Sequence, residues 1–154
     1  MMEAEGRVAI LAEARTWLGT PYHSCARVKG VGVDCGMLIA AVYENAGIVP
    51  RMEIAPYAAD HHMHKADEQY IAYIRQHCRE IERDALKPGD VALWKFGRSY
   101  SHGAIVVEWP VVIHATRKEG RVWECNISDY SLYATRTPLF FSFWDSEARE
   151  SVFA

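Results

Sequence analysis

A cysteine at position 35 lies where a thiol can act as a nucleophile. Asp34 is a favourable residue for starting a helix, and the apolar residues after Cys35 recur with helical spacing: Leu38, Ile39, Val42 and Ala46. In the first turn of a helix, free N–H groups and the helix dipole favour a thiolate. We therefore predict that Cys35 is a nucleophile with a lowered pKa. The same pattern also fits an inert buried cysteine, and the negative charge of Asp34 opposes a thiolate.

Two of the chain's 7 histidines are candidates for the base that such a thiol needs. His102 stands at the start of the apolar run SYSHGAIVVEW, and His114 lies in the next run, VVIHAT. If these runs pair as neighbouring strands, the two imidazoles come close. One would then act as the base and the other would orient it. On strand position alone, each also fits an ordinary half-buried histidine.

A cluster of histidines at positions 61, 62 and 64 resembles a metal-binding group, but it follows Pro56 in a polar segment that is typical of a solvated loop. We do not assign it to the site.

The elements that must position these residues fall into two halves. Apolar periodicity predicts helices from about Arg7 to Leu18, from Cys35 to Ala46 and from Ala66 to Cys78. Five β-rich runs follow: Val91 to Phe96, Gly103 to Trp109, Val111 to Ala115, Arg121 to Cys125 and Leu139 to Trp144. Their short connections favour an antiparallel meander. Helices followed by strands predict an α+β fold.

Composition limits the class of protein. The 154 residues, of which 50% are hydrophobic, suit one globular domain spanning 1–154. A net charge of -3 argues against nucleic acid as a partner. The N-terminus does not resemble a signal peptide, and no apolar run approaches the roughly 20 residues of a membrane span. We therefore expect synthesis in the cytoplasm, no membrane partner and no disulfide framework.

The run GTPYHSCARVKGVGVDCGMLIAAVYENAGIVP resembles the nucleophile region of the NlpC family of cell-wall cysteine peptidases, which have a papain-like core. Three later segments are similar to family motifs in the expected order: KPGDVALWKF, SHGAIVVEW and VVIHAT. The resemblance implies that Cys35 is the nucleophile, that His102 is general base and then general acid, and that His114 orients His102. Tyr22 matches a family tyrosine that assists the oxyanion or the substrate, although its ring also fits simple packing under the loop.

The family's reaction is hydrolysis of an amide in a peptidoglycan stem peptide, typically between γ-D-glutamyl and a diamino acid, and it needs no metal or organic cofactor. Two features depart from the family pattern. Gly36 and Met37 stand where Ser-Gly is common, and Ser24 and Cys25 replace a Gly-Gly pair before an insertion-like RVKGVG. This variant looks similar to the branch found with phage tails and gene transfer agents, which implies phage tail proteins as partners and delivery to the wall by the virion.

Two other functions remain open. One is an amidase or acyltransferase that uses the same residues on another acyl substrate. The other is a non-catalytic tail-assembly protein, for which the Gly36-Met37 step is the best support. The aromatic C-terminal segment, SLYATRTPLFFSFWDSEARESVFA, fits either a last core strand or a surface for partners, and we expect the core strand.

Overall fold

The computed structural model describes residues 2–51 and 72–144. Within these ranges the helices are α1 (Glu3–Thr16), α2 (Cys35–Asn45), α3 (72–77) and α4 (Ser131–Ala134). The strands are β1 (Arg27–Val28), β2 (Gly32–Val33), β3 (Arg79–Ile81), β4 (Val91–Phe96), β5 (Ser99–Glu108), β6 (Val111–Thr116), β7 (Arg121–Asn126) and β8 (Leu139–Ser142). Short 3₁₀ turns lie at Arg83–Ala85 and Ile127–Asp129. No helix in the described ranges is long and apolar enough to cross a membrane.

The main sheet has six strands in the order β3-β8-β4-β5-β6-β7, and the pairs are antiparallel. Strands β4 to β7 form the predicted meander. The prediction is wrong for β8, which returns to pair with β4 instead of extending the meander beyond β7. Strand β3 was not predicted, because its Arg-Glu-Ile sequence is too short and polar to show an alternating pattern.

Helix α2 begins where the sequence predicts and is the central helix of the fold. The Asp34 side chain caps it by accepting a 2.9 Å hydrogen bond from the backbone N–H of Met37. Eight consecutive residues, Gly36 to Tyr43, are buried, so the helix is enclosed on all sides. Helix α1 begins earlier than predicted, at Glu3, and ends at Thr16. The predicted start of the third helix at Ala66 lies outside the described residues.

The two faces of the sheet carry two separate apolar clusters, as strand alternation requires. One face packs on α1 and α2 and includes Leu93, Ile105 and Ile113. The opposite face carries Trp94 and Val112, together with other residues of the second cluster. Because His102 pairs with Trp94 and His114 pairs with Trp123 in register, the two histidines follow the alternation of this second face.

The Pro-Gly-Asp turn before β4 ties α1 to the sheet. Asp90 is fully buried, and its carboxylate accepts hydrogen bonds from Arg7 and from the Lys87 N–H, each at 2.8 Å. The same guanidinium also donates to the Pro88 carbonyl at 2.8 Å and to Ser142 Oγ at 3.2 Å. One arginine thus connects the first helix, the turn and strand β8.

We expect Asp90→Ala to lower the free energy of unfolding by about 3 kcal/mol or more, because it leaves the largely buried Arg7 charge without its fully buried partner. Urea denaturation of both proteins measures this loss. The matched control is Glu3→Ala, which removes the more exposed partner of Arg7 and should change stability by under about 1 kcal/mol. Equal effects of the two substitutions would contradict this account.

Candidate active site

The thiol of Cys35 lies at the N-terminus of α2, against strand β5. Its Sγ is 3.7 Å from the carbonyl oxygen of Ser101. The backbone N–H groups of Gly103, Gly36 and Cys35 itself lie near this sulfur and act to lower its pKa. The sulfur therefore contacts the strand backbone on both sides of His102.

A β-bulge in β5 lies at this contact. Tyr100 pairs with Lys95 and His102 pairs with Trp94, so Ser101 is an extra residue with no partner on β4. A bulge bends the strand and redirects the side chains next to it. The bend falls where β5 passes the start of α2, immediately before His102.

The two predicted histidines are in direct contact. Nε2 of His102 and Nδ1 of His114 are 2.8 Å apart. Both residues are buried, with exposed fractions of 8% for His102 and 1% for His114. The predicted proximity of the imidazoles is confirmed. Since Nε2 of His102 is engaged with His114, Nδ1 is the nitrogen that remains to take a proton from a thiol. That role requires the hydrogen of neutral His102 to be on Nε2, donated to His114.

A second cysteine, which the sequence analysis did not assign, continues this contact series. Sγ of Cys125 is 3.4 Å from Nε2 of His114. When His114 accepts from His102 through Nδ1, a neutral ring carries its own hydrogen on Nε2, facing the Cys125 sulfur. The sulfur then serves as a weak acceptor that favours the tautomer suited to a base at His102.

Burial keeps both imidazoles uncharged. It lowers the pKa of His114 to about 4, and burial together with the neighbouring His114 lowers the pKa of His102 well below its usual value. Near neutral pH both rings are therefore neutral, so His102 is able to accept a proton.

The prediction of a lowered pKa for Cys35 is wrong. Burial and then the charge of Asp34 raise the pKa of the thiol to about 12, against the lowering by the N–H groups around the sulfur. Near neutral pH the Cys35 thiol and both imidazoles are therefore uncharged.

Tyr22 lies in the segment before Cys35, and it contacts both Val33 and the β6–β7 turn. Its N–H donates to the Gly120 carbonyl at 2.8 Å, and it forms an isolated bridge with Val33, two residues before Cys35. Burial and the nearby Cys35 raise the pKa of its hydroxyl. The structure thus brings Tyr22 near the thiol, while its assistance to the oxyanion or substrate stays a prediction.

The model of the NlpC/P60 family matches residues 19–137, which is most of the chain. The chain belongs to the NlpC/P60 family. No curated protein matches the sequence. The NlpC/p60 domain of the peptidoglycan hydrolase SagA is similar in structure with a TM-score of 0.60 at 23% identity, covering 86% of this chain and 96% of that one.

Two other solved structures show the range of this fold. An NLP/P60 family protein similar to lipoprotein, from Staphylococcus aureus, has a TM-score of 0.67 at 20% identity, covering 94% of this chain and 43% of that one. RipD from Mycobacterium tuberculosis is a non-catalytic NlpC/p60 domain protein adapted to peptidoglycan binding. It has a TM-score of 0.58 at 15% identity, covering 89% of this chain and 96% of that one. The predicted α+β fold with an NlpC-type, papain-like core is confirmed.

Aromatic residues enclose the histidines of this NlpC/P60 domain. The ring of Tyr133, in α4, has its centroid 5.1 Å from that of His102 and 5.7 Å from that of His114. Trp94 lies 5.7 Å from His102, and Trp123 stacks on His114 at 6.0 Å. The sequence feature that corresponds to these contacts is the aromatic C-terminal segment, which forms two separate elements. Its first part forms α4 over the site, and Leu139–Ser142 is the expected core strand.

A cavity of about 190 Å³ opens next to His114. Its charged lining residues are Lys118, Glu119 and Asp129, and aromatic rings including Trp123 form other parts of its wall. The net charge of this lining is negative, which suits a cationic group of a ligand. The described ranges contain no cluster of three metal-ligating side chains, and the histidines at 61, 62 and 64 lie outside those ranges.

Replacing Asp34 with Asn should make Cys35 more reactive. The substitution keeps an oxygen that can cap α2 but removes the negative charge that raises the thiol's pKa. Each unit by which the pKa falls increases the thiolate fraction about tenfold at a given pH. The rate of iodoacetamide alkylation at Cys35, followed by peptide mass spectrometry from pH 7 to 10, measures the change. Glu108→Gln removes a distant exposed carboxylate and should leave the profile unaltered; an unaltered profile in Asp34→Asn would refute the role of this charge.

Burial of His114 also predicts an acid-dependent loss of stability. The folded state resists protonation of His114 down to about pH 4, whereas an imidazole in the unfolded chain binds a proton from about 6.5. The contribution of His114 to the free energy of unfolding is therefore fully present above pH 6.5. It declines by up to about 3 kcal/mol as the pH falls towards 4.

Urea unfolding at pH 7, 5.5 and 4 measures this decline, and His114→Gln is the matched variant because its side chain does not titrate. The free-energy difference between wild type and variant should shrink as the pH falls. A constant difference across this range would show that His114 titrates normally in the fold.

Proposed function

We propose that this domain is a cysteine peptidase that hydrolyses an amide bond in peptidoglycan stem peptides, of the γ-D-glutamyl-diamino acid type. The observation that carries the proposal is the contact series formed by Cys35 at the start of α2, the β5 backbone on each side of His102, and the 2.8 Å contact between His102 and His114. These are the groups that a nucleophile, a base and its orienting partner require.

In the acylation step, Sγ of Cys35 attacks the amide carbonyl carbon while Nδ1 of His102 takes the thiol proton. A C–S bond forms and the carbonyl oxygen becomes an oxyanion, which backbone N–H groups at the start of α2 and the Tyr22 hydroxyl can stabilise. The imidazolium then gives its proton to the amine nitrogen as the C–N bond breaks. The product is a thioester and a free amine.

Water resolves the thioester. His102 removes a proton from the water as its oxygen attacks the carbonyl carbon, and it returns this proton to the sulfur as the C–S bond breaks. His114 accepts the Nε2 hydrogen of His102 throughout and stabilises the transient positive charge. The negatively charged cavity beside His114 supports a diamino acid on the amine side, because its side-chain ammonium group can enter there.

A second candidate is a non-catalytic domain that binds peptidoglycan, as RipD does. The raised pKa of Cys35, to about 12, and the Gly36-Met37 step favour it. A domain without turnover, however, has no need for a thiol against the strand that carries His102, or for the contact of His102 with His114. An amidase or acyltransferase that acts on another acyl substrate would use the same three side chains.

The most specific part of the proposal is that the domain associates with phage tails and is delivered by a virion. Their support is the RVKGVG segment, which forms the β1–β2 ribbon with Val28 and Val31 exposed by 56% and 71%. Such apolar side chains suit a contact with a partner protein.

We expect wild-type protein to cleave the stem peptide L-Ala-γ-D-Glu-meso-diaminopimelate-D-Ala at the γ-glutamyl bond, as measured by mass spectrometry of the products. Cys35→Ala and His102→Ala should each lose at least about a hundredfold in rate, because general-base and nucleophilic functions contribute about this much or more.

The control for cysteine loss is Cys25→Ser, which retains the backbone N–H that donates to Asp34 and should cleave normally. Wild-type protein that binds the peptide without cleaving it would establish the binding function instead. Cleavage that persists in Cys35→Ala would exclude Cys35 as the nucleophile.

A further inference from the structure

A cation stands at the mouth of the site, on the turn between β6 and β7. Arg117 is exposed, and its Nη2 donates a 2.9 Å hydrogen bond to Ser24 Oγ. Its guanidinium carbon lies 5.6 Å from the centre of the Tyr22 ring, and the guanidinium is hydrogen-bonded to the Tyr22 hydroxyl. Two neutral side chains from the segment before Cys35, Tyr22 and Ser24, therefore hold the guanidinium in place.

Within residues 2–51 and 72–144, this guanidinium forms no ion pair with a carboxylate at 4.0 Å or less, and Asp34 acts on it only from a greater distance. None of the ion pairs between residues of the described ranges involves Arg117. An arginine that neutral groups already orient can bind a carboxylate through two parallel N–H···O hydrogen bonds. Its preorganisation reduces the side-chain entropy that such binding loses.

Arg117 lies near Cys35, the residue to which the acyl part of a substrate would become bonded. Tyr22, beneath the guanidinium, is bridged to Val33 in the strand that leads directly into Cys35. Both Tyr22 and Arg117 interact electrostatically with Cys35.

We propose that Arg117, held by Tyr22 and Ser24, binds a free carboxylate on the acyl residue of the substrate and so determines acyl specificity. This inference rests on the proposed hydrolysis. A γ-linked glutamyl residue keeps its α-carboxylate free, whereas an α-linked residue uses that carboxyl in the chain and an isoglutaminyl residue carries a neutral amide. Arg117 thus selects γ-glutamyl substrates against both alternatives.

The test compares two stem peptides that differ in one group, the α-carboxylate or the α-carboxamide of the γ-linked residue. We expect wild-type kcat/KM to favour the carboxylate by roughly 10- to 100-fold, as for a hydrogen-bonded charged pair. Arg117→Gln should abolish this preference by slowing cleavage of the carboxylate peptide alone. Arg117→Lys should keep part of it, because lysine supplies the charge without the paired donors.

The matched control is Arg121→Gln, which removes an exposed arginine at the start of β7 and should retain the full preference. Equal cleavage of both peptides by the wild type would overturn the inference and leave the proposed hydrolysis standing.

Calorimetric binding of the same two peptides to Cys35→Ala separates the remaining outcomes. If the wild type cleaves neither peptide but Cys35→Ala binds the carboxylate form selectively, and Cys35→Ala with Arg117→Gln does not, the recognition by Arg117 holds and the hydrolysis fails. Absence of selective binding and of cleavage would refute both.

Discussion

Helix α2 is buried along Gly36 to Tyr43, and this burial determines where the thiol meets the sheet. A helix enclosed on all sides can occupy only one position, because neighbouring side chains fill the space around it at close to crystal density. Its N-terminus is therefore held against β5 at the point where Ser101 bulges out of the strand. The contact of Cys35 with the backbone around His102 is a result of core packing.

The same packing determines the charges in the site. Because His102 and His114 are enclosed by the rings of Trp94, Trp123 and Tyr133, they are neutral near pH 7. The thiol is neutral because of its own burial and the charge of Asp34. This differs from a site with a preformed thiolate and imidazolium, because near pH 7 neither charge is present in the free protein.

The contact of His102 with His114 and the position of Cys35 at the start of α2 could be predicted from sequence, because these residue types are chemically distinctive and their elements are strongly patterned. The cap at Asp34 and the apolar periodicity after Cys35 located α2, and the adjacent β5 and β6 brought His102 and His114 together. The contacts of Arg117, Cys125 and Tyr133 were not predicted, because each depends on a turn or pairing register that no local pattern specifies. The bulge at Ser101 has no local signal either. The pKa of Cys35 was predicted in the wrong direction because desolvation depends on the whole core, whereas the helix dipole is a local property.

The Asp34 carboxylate has two effects that conflict. It accepts hydrogen bonds from the N–H groups of Met37 and Cys25, at 2.9 and 2.8 Å, so it fixes both the start of α2 and the loop before it. It also helps to keep Cys35 as a thiol. Oxidants attack cysteine as the thiolate, through sulfenic to sulfinic and sulfonic acids. A Cys35 side chain that stays protonated near neutral pH is therefore protected from irreversible oxidation.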